Sequence, residues 1–275
     1  MTHPNARIEA TGLQVRLGGK PVLRGVDFAA SAGAFTAIIG PNGSGKTTLL
    51  RTLTGDLLPG GSVTINGVEL NRLKPWQRAC LLAVLPQATV LAFPFTVREV
   101  VGLGLLGGRS GIAGTLLPHL PDRALEAVDL AGFAGRFYQE LSGGEQQRVQ
   151  LARVLCQVWE PVLDGQPRWL FLDEPVSSLD IRHQIFIMQM ARNYARRGGG
   201  VIAVMHDLNL TALFADRVQV MHAGRTAASG TPDAVLNDAM LARVFGCDLK
   251  VGAVPRTGTV FVLPHSAVGR TEVRP

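Results

Sequence analysis

Apolar and polar positions alternate in "LQVRL" (13–17), as they do in a strand with one buried face, and Gly18-Gly19 offers a turn behind it. An antiparallel start to the fold is expected there. From "FTAIIG" (35–40) the pattern changes to short, unbroken apolar runs, repeated at "WLFLD" (169–173) and "GVIAVMH" (200–206). Each is followed by a polar or glycine-marked turn and then by a helical period, which is how strands of a parallel sheet buried on both faces read. Between about 89 and 158 these runs stop, and helical periodicity takes over around 96–106, 121–131 and 145–158. Beyond 232, "TPDAVLNDAMLARVFG" reads as one or two short helices and "GTVFVLP" (258–264) as a terminal strand. The expected fold class is therefore α/β: a mainly parallel sheet flanked by helices, with an antiparallel β start and an inserted helical subdomain. The expected divisions are a first part of the core at 1–88, the helical insertion at 89–158, the rest of the core at 159–235 and a tail at 236–275.

Composition narrows the class. With 275 residues, 47% of them hydrophobic, the chain can bury one large core. Its most apolar stretch, "LLAVLPQATVLAFPF" (81–95), is cut by Pro86, Gln87 and Pro94, well short of the roughly 18 apolar residues a membrane helix needs. The opening "MTHPNARIEA" lacks the apolar segment of a secretory signal, and Cys80, Cys156 and Cys247 are too scattered to frame a metal site. A cytosolic, reduced chain that does not cross a bilayer by itself is expected. The net charge of +6 is spread over single residues and pairs such as Arg196-Arg197, the pattern of an ordinary solvated surface.

Two glycine-rich stretches carry the chemistry. "GPNGSGKT" (40–47) fits G-x-x-x-x-G-K-[ST] at every specified position, follows an apolar strand and precedes the helical "TTLLRTLTG". Such a loop wraps phosphates with backbone N–H groups, aims a helix N-terminus at them and reaches them with its lysine. Gly40, Pro41, Asn42, Gly43, Ser44, Gly45, Lys46, Thr47 and Thr48 are the expected nucleotide contacts, with the Thr47 hydroxyl on Mg²⁺. In "WLFLDEP", Asp173 and Glu174 emerge at the carboxyl end of a buried strand, the edge where open α/β sheets bind ligands. Asp173 is expected in the Mg²⁺ shell, and Glu174 is expected to orient and deprotonate an attacking water. Nucleotide hydrolysis on a P-loop NTPase core is the chemistry this predicts. The second stretch, "LSGGEQQR" (141–148), places a hydroxyl residue and two glycines before Glu145 and the helical "EQQRVQLARVLCQVW". By itself it fits a helix-capping turn or a second anion site.

In these residues the chain resembles ABC-type ATPase subunits, from about residue 8 to at least 235. The resemblance implies that "LSGGEQQR" is the family signature, which binds the γ-phosphate held by the other subunit of a head-to-tail dimer. Ser142, Gly143, Gly144 and Glu145 would then serve a partner's ATP. Gln87 in "VLPQ" resembles the glutamine that touches Mg²⁺ and the attacking water, in the loop that couples to a membrane partner. Asp180 in "SSLD" resembles the aspartate of the loop crossing the dimer interface, and His206 in "VMHDLNL" the histidine that contacts the γ-phosphate beside Glu174. The chain departs from the family at Leu17, where an adenine-stacking aromatic is usual, and at Val176, where threonine is common. It also departs in the lengthened stretch 156–169, which Pro161, Gly165 and Pro167 mark as a surface loop.

Within the family, a nucleic-acid maintenance ATPase would carry a long coiled coil between the core halves, and the interval 89–158 has no sustained heptads. Translation-type members carry two cassettes in one chain, and here there is one. "HDLNLTALFADRV", "GTPDAVL" and "LARVFG" are similar to the ATPases of importers for iron chelates, cobalamin and heme. "FPFTVREVVGLG" (93–104), "LDIRHQ" (179–184) and the 156–169 loop look most like the heme branch, with ferric-siderophore and cobalamin uptake as alternatives. The resemblance implies ATP and Mg²⁺ as cofactors, a homodimer, two transmembrane permease subunits, and a periplasmic or surface heme-binding protein acting indirectly. It implies no nucleic-acid partner, and a peripheral position on the cytoplasmic face of the inner membrane.

Overall fold

The computed structural model describes residues 6–87, 93–107, 109–112, 114–255 and 258–267. Strands β1 (Arg7–Leu17) and β2 (Lys20–Ser31) form an antiparallel pair closed at Leu17 and Lys20 by the Gly18-Gly19 turn. The first strand thus begins at Arg7, ahead of the alternation at 13–17, because a bulge between Ala10 and Leu13 shifts the burial pattern out of simple period two. Strand β3 (Phe35–Ile39) leads into helix α1 (Lys46–Leu53), and β4 (Gly60–Ile65) with β5 (Val68–Glu69) completes a four-stranded antiparallel sheet ordered β2-β1-β4-β5. Helix α2 (Pro75–Leu81) runs into β6 (Leu82–Leu85).

From there to the next strand the described chain is helical: α3 (Val97–Gly107), α4 (Leu120–Glu126) and α5 (Gly143–Gln157). A two-stranded hairpin, β7 (Val162–Leu163) and β8 (Gln166–Pro167), precedes β9 (Trp169–Asp173). Then follow α6 (Ile181–Arg196), β10 (Gly200–Val204), α7 (Leu208–Phe214), β11 (Arg217–His222) and β12 (Arg225–Gly230). The short helices α8 (Pro232–Val235) and α9 (Asp238–Met240) and a wider helical turn at Leu241–Phe245 follow.

The central sheet has six strands in the order β12-β11-β3-β10-β9-β6. Every neighbouring pair is parallel except the β11–β12 hairpin. Its unbroken apolar strands are sorted by the two-residue period: Phe35, Ala37, Ile39, Leu170 and Leu172 join the core under the helices. Ile38, Trp169 and Phe171 join a second core shared with α1 and the antiparallel sheet. Two layers therefore clamp the sheet, and its carboxyl edge is left for the loops after β3, β6, β9 and β10. Among the described residues no helix is long and apolar enough to cross a membrane.

Two expectations need correction. Residues 258–263 form no strand: Val260 is 91% exposed and the segment pairs with no strand of the described sheets, so its β-forming sequence is left without a ladder. The stretch 156–169 is more than a surface loop. Its tip is a two-residue turn with Asp164 and Gly165 both at positive φ (52° and 74°), the geometry that Asp-Gly favours in a hairpin. Its base is buried, where the Arg168 guanidinium donates to the carbonyls of Glu160, Arg109 and Ser110.

Candidate functional site

The loop after β3 is held tightly on both sides. A Cβ at Gly40 would run into the Met221 carbonyl, and Gly45, at φ 102°, occupies the left-handed region just before α1. Gly45 offers no side chain to cap the helix, so the first N–H groups of α1 stay free to meet an anion. Lys46 is 6% exposed, and its Nζ donates to the carbonyls of Gly40 (2.9 Å) and Pro41 (3.1 Å). Burial pushes its ammonium below the ordinary lysine value, against the pull of Glu174 and Asp173. Phosphate charge is the natural counterweight for an ammonium placed this way.

Opposite, β9 delivers its last residue, Asp173, into the same space. Asp173 is buried, accepts a hydrogen bond from Thr47 Oγ1 at 3.3 Å, and has its carboxyl pushed above the usual range by burial. The next residue, Glu174, adopts φ 53°, which costs a non-glycine residue on the order of 1–3 kcal/mol. The peptide groups on either side of the residue hold that conformation. Glu174 N donates to the Val204 carbonyl (3.2 Å), and its own carbonyl accepts from Gln147 Nε2 (3.1 Å). It turns the carboxylate toward residues from two other strand ends. Gln87 Nε2 donates to Glu174 Oε2 at 3.0 Å, and His206 Nε2 lies 2.5 Å from Oε1.

Gln87, Glu174 and His206 line one cavity of ≈ 400 Å³, together with Asn42, Gly43, Gly45, Lys46, Thr47, Thr48 and Val22, and Asp173 stands behind its wall, bonded to Thr47. The residues expected around a nucleotide are thus brought together from four separate loops. Leu17 does not line this cavity: it ends β1, 41% exposed, and Val22 is the apolar residue of that hairpin facing the cavity. Among the described residues no group of three or more His, Cys, Asp or Glu could hold a metal ion without help. The donors present are a hydroxyl, a buried carboxylate and an amide, Thr47, Asp173 and Gln87. Few, hard and oxygen-based, they suit Mg²⁺ arriving with phosphate oxygens.

The second glycine stretch lies in a different cavity, of ≈ 460 Å³, lined by Ser142, Gly143, Gly144, Glu145, Arg148, Ser178, Leu179, Asp180 and His183, and sharing no residue with the first. Here the helix begins two residues earlier than the sequence pattern predicts, at Gly143, with Ser142 as its cap. The Ser142 N–H and Oγ–H donate to Glu145 Oε2 (2.8 and 2.7 Å), and Oγ accepts from Glu145 N at 3.4 Å, so a capping box closes this N-terminus. These bonds hold the Glu145 carboxyl below its usual range. Asp180 in turn caps α6, accepting from His183 N at 2.9 Å. Sequence reasoning missed Gln147, which ties the second stretch to Glu174, and His183 and Arg148. Their stretches, "EQQR" and "LDIRHQ", carry the motif, but these three side chains act through partners distant in the chain, which gives no local signal.

Comparison with known proteins adds the chain's relatives. The family profile described as ABC transporter matches residues 23–177. The hemin import ATP-binding protein HmuV of Mesorhizobium japonicum is 61% identical over 261 residues, covering 95% of this chain and 99% of the relative. The protein of the same name from a Chelativorans species is 62% identical with the same coverage. Among solved structures, the ATP-binding subunit of an ABC transporter superposes with a TM-score of 0.72 at 25% identity, covering 87% of this chain and 93% of that one. An ATP-binding cassette in a dimeric post-hydrolysis state with ADP and Pi gives 0.70 at 25% identity, over 82% and 98% of the two chains.

Proposed function

The chain belongs to the ABC transporter family, and from that premise we propose that it is the ATP-hydrolysing energy subunit of an importer that carries heme across the cytoplasmic membrane. The observation that carries the hydrolytic part is the Glu174 carboxylate held between Gln87 and His206 on the wall of the cavity that Lys46 and Thr47 line. Support for heme is the identity of 61–62% to hemin import ATP-binding proteins over 95% of the chain. Ferric siderophore and cobalamin are the competing cargoes.

In this reading the loop 40–48, through the backbone N–H groups of its residues other than Pro41, and the Lys46 ammonium bind the phosphates of ATP. Thr47, Asp173 and Gln87 would hold Mg²⁺, which supplies charge neutralisation at the phosphates. Glu174 takes the proton of the attacking water, and His206 fixes the carboxylate and faces the γ-phosphate. Ser142, Gly143, Gly144 and Glu145 meet the ATP of a second copy, with Asp180 at the contact between the copies. Pairing on ATP moves the Gln87 loop and the helices that follow, and two permease subunits docked there change access; hydrolysis reopens the pair. The chain sits peripherally on the cytoplasmic face, and a heme-binding protein outside acts only through the permease. The division 1–88, 89–158, 159–235 and 236–275 belongs to the same proposal; its boundary at 88/89 lies outside the described residues. Its support is that no strand longer than a single bridge interrupts the described helices between β6 and β7.

The test is ATP-driven uptake into proteoliposomes of the chain assembled with its permease, offering heme, ferric siderophore and cobalamin in parallel. Glu174→Gln is expected to slow hydrolysis by on the order of 10²- to 10⁴-fold with ATP binding retained, because general-base catalysis contributes about that much. Heme uptake abolished by this substitution is the expected result. Uptake of another chelate alone overturns the cargo, and rapid hydrolysis by the variant overturns the role of Glu174.

A further inference from the structure

We propose that His183 is a positioning residue that ties the loop carrying Asp180 to the helical insertion, and that its proton sets how firmly the second phosphate-facing cavity is held in shape for a partner's ATP. The proposal rests on the reading above, in which that cavity serves a second copy of the chain.

The ring of His183 stands between two carboxylates from different parts of the fold. Its Nδ1 lies 3.0 and 2.9 Å from the two oxygens of Asp180, and its Nε2 lies 3.4 Å from Asp129 Oδ2. Asp180 caps α6 in the core, whereas Asp129 sits in the turn that ends α4, at φ 58°. That turn is gripped from behind by the helix that starts at the signature glycines. The buried Arg148 of α5 donates from Nη1 to the carbonyls of Val128 (3.1 Å) and Asp129 (2.7 Å). A continuous path therefore runs from α5 through Arg148, the Asp129 turn and His183 to Asp180. The other side of the cavity is closed by contact, since a Cβ on Gly144 would sit 3.2 Å from the Ser178 carbonyl.

The protonation state of the ring decides whether this path is continuous. A neutral imidazole has one N–H and one lone pair, so with carboxylate oxygens on both nitrogens it can satisfy only one of them and presents the lone pair to the other. An imidazolium donates from Nδ1 to Asp180 and adds an ionic attraction to each carboxylate, the Asp129 oxygen standing in ion-pair range of Nε2. The charged groups around it are Asp180 and Arg182 on α6, Asp129 on the α4 turn, and Arg148 and Glu145 on α5. Arg182 also reaches Asp129 Oδ2, at 3.3 Å, but its side chain is 80% exposed, whereas that of His183 is 17% exposed and fixed in the cavity wall. The Asp180 carboxyl is held below its usual range, first by the His183 backbone N–H and then by the ring.

The experiment uses the chain assembled with its permease and follows ATP hydrolysis from about pH 6 to about pH 8.5, the span in which histidine titrates. KM for ATP and kcat are determined for the parent, His183→Gln and Asp129→Asn. Asparagine tolerates the left-handed backbone at 129, so that variant keeps the fold without the carboxylate. The expected result is a KM three- to fivefold above the parent at the acid end, about the size of an exposed ion-pair contribution, converging on the parent at the alkaline end. kcat should change less, and the pH response of Glu174 and His206 is common to all three proteins and cancels in the ratio. A ratio that is constant across pH, or that grows toward the alkaline end, overturns the proposal, as does a KM unchanged in both variants. Failure of the ATPase reading looks different, with no ATP hydrolysis in the parent.

Discussion

The two glycine-rich helix starts, at 40–48 and at 142–145, look alike in sequence and are finished differently. The first leaves its helix N-terminus without a side-chain cap and adds a buried ammonium, a buried carboxylate and the Glu174 cluster. The second is already capped, its own Glu145 carboxylate occupying the Ser142 N–H and hydroxyl, and no lysine lines its cavity. In the proposed function a polyphosphate is held and cut at the first. The second is lined by helix amides, hydroxyls, Arg148 and His183 together with the carboxylates of Glu145 and Asp180, and in the proposed function it completes a partner's site without holding a nucleotide by itself. The difference teaches that the motif names an anion surface, and that neighbouring charge decides whether it is a site or half of one.

The largest effects come from exchanging what each loop contributes. Lys46→Ala should lower ATP affinity by about 10- to 100-fold, the equivalent of about 1.5–3 kcal/mol for a hydrogen bond to a charged group, as read by equilibrium binding. Gly143→Asp has open space for its side chain and places an acid in a helix first turn, where it is welcome, so the fold should melt no lower than the parent. It should bind ATP normally and yet lose hydrolysis in the assembled transporter, because its carboxylate meets a partner's phosphate. Mixed assemblies of the Lys46→Ala and Gly143→Asp chains should recover activity, since one composite site is then intact. No recovery would mean that each loop serves its own nucleotide, and the comparison would collapse.

A smaller effect should appear in stability. The Asp173 carboxyl is raised by burial, so it holds its proton more tightly in the folded chain than in the unfolded one. Its contribution to stability is then full below the ordinary aspartate value and is lost as pH rises through the folded value. Asp173→Asn should therefore raise the melting temperature of the nucleotide-free chain by a few degrees at neutral pH, with the gain shrinking as the solution is acidified. Stabilisation by Mg²⁺ and ATP should be lost in the same variant. Ser142→Ala should be the mildest change. Loss of the cap costs on the order of 0.5–1 kcal/mol, at the low end because Glu145 still accepts from the residue-142 N–H, and ATP binding by the single chain stays as it was.

Much of this was legible in advance. The buried strand 169–173 has the bounds read from the sequence, and the helix read over 47–55 runs from Lys46 to Leu53, because unbroken apolar runs and a glycine-lysine turn are local signals. The Asp164-Gly165 hairpin was also written locally, in "LDGQ", and was passed over because its prolines suggested a loop. The false strand at 258–264 shows the converse. β-forming residues make a strand only when they pair with one, and among the described residues this segment pairs with none. The Glu174 backbone, at φ 53° in a residue that avoids that region, could not have been read at all, since contacts from Val204 and Gln147 impose it.

By itself the sequence determined which chemical groups are present and what short loops they form: glycines that free the backbone, a lysine and hydroxyl at a helix start, two acids at a strand end, and a serine-led cap. Those depend on torsions and neighbours within about eight residues, which the order of residues specifies directly. Only the tertiary structure decided that Gln87, Glu174 and His206 share one carboxylate, and that His183 spans Asp129 and Asp180. Parallel strands bring distant residues together through the order in which they pair, β10 between β3 and β9 and β9 between β10 and β6. That order is chosen by burial of both sheet faces over the whole core, a property no single stretch of the chain possesses.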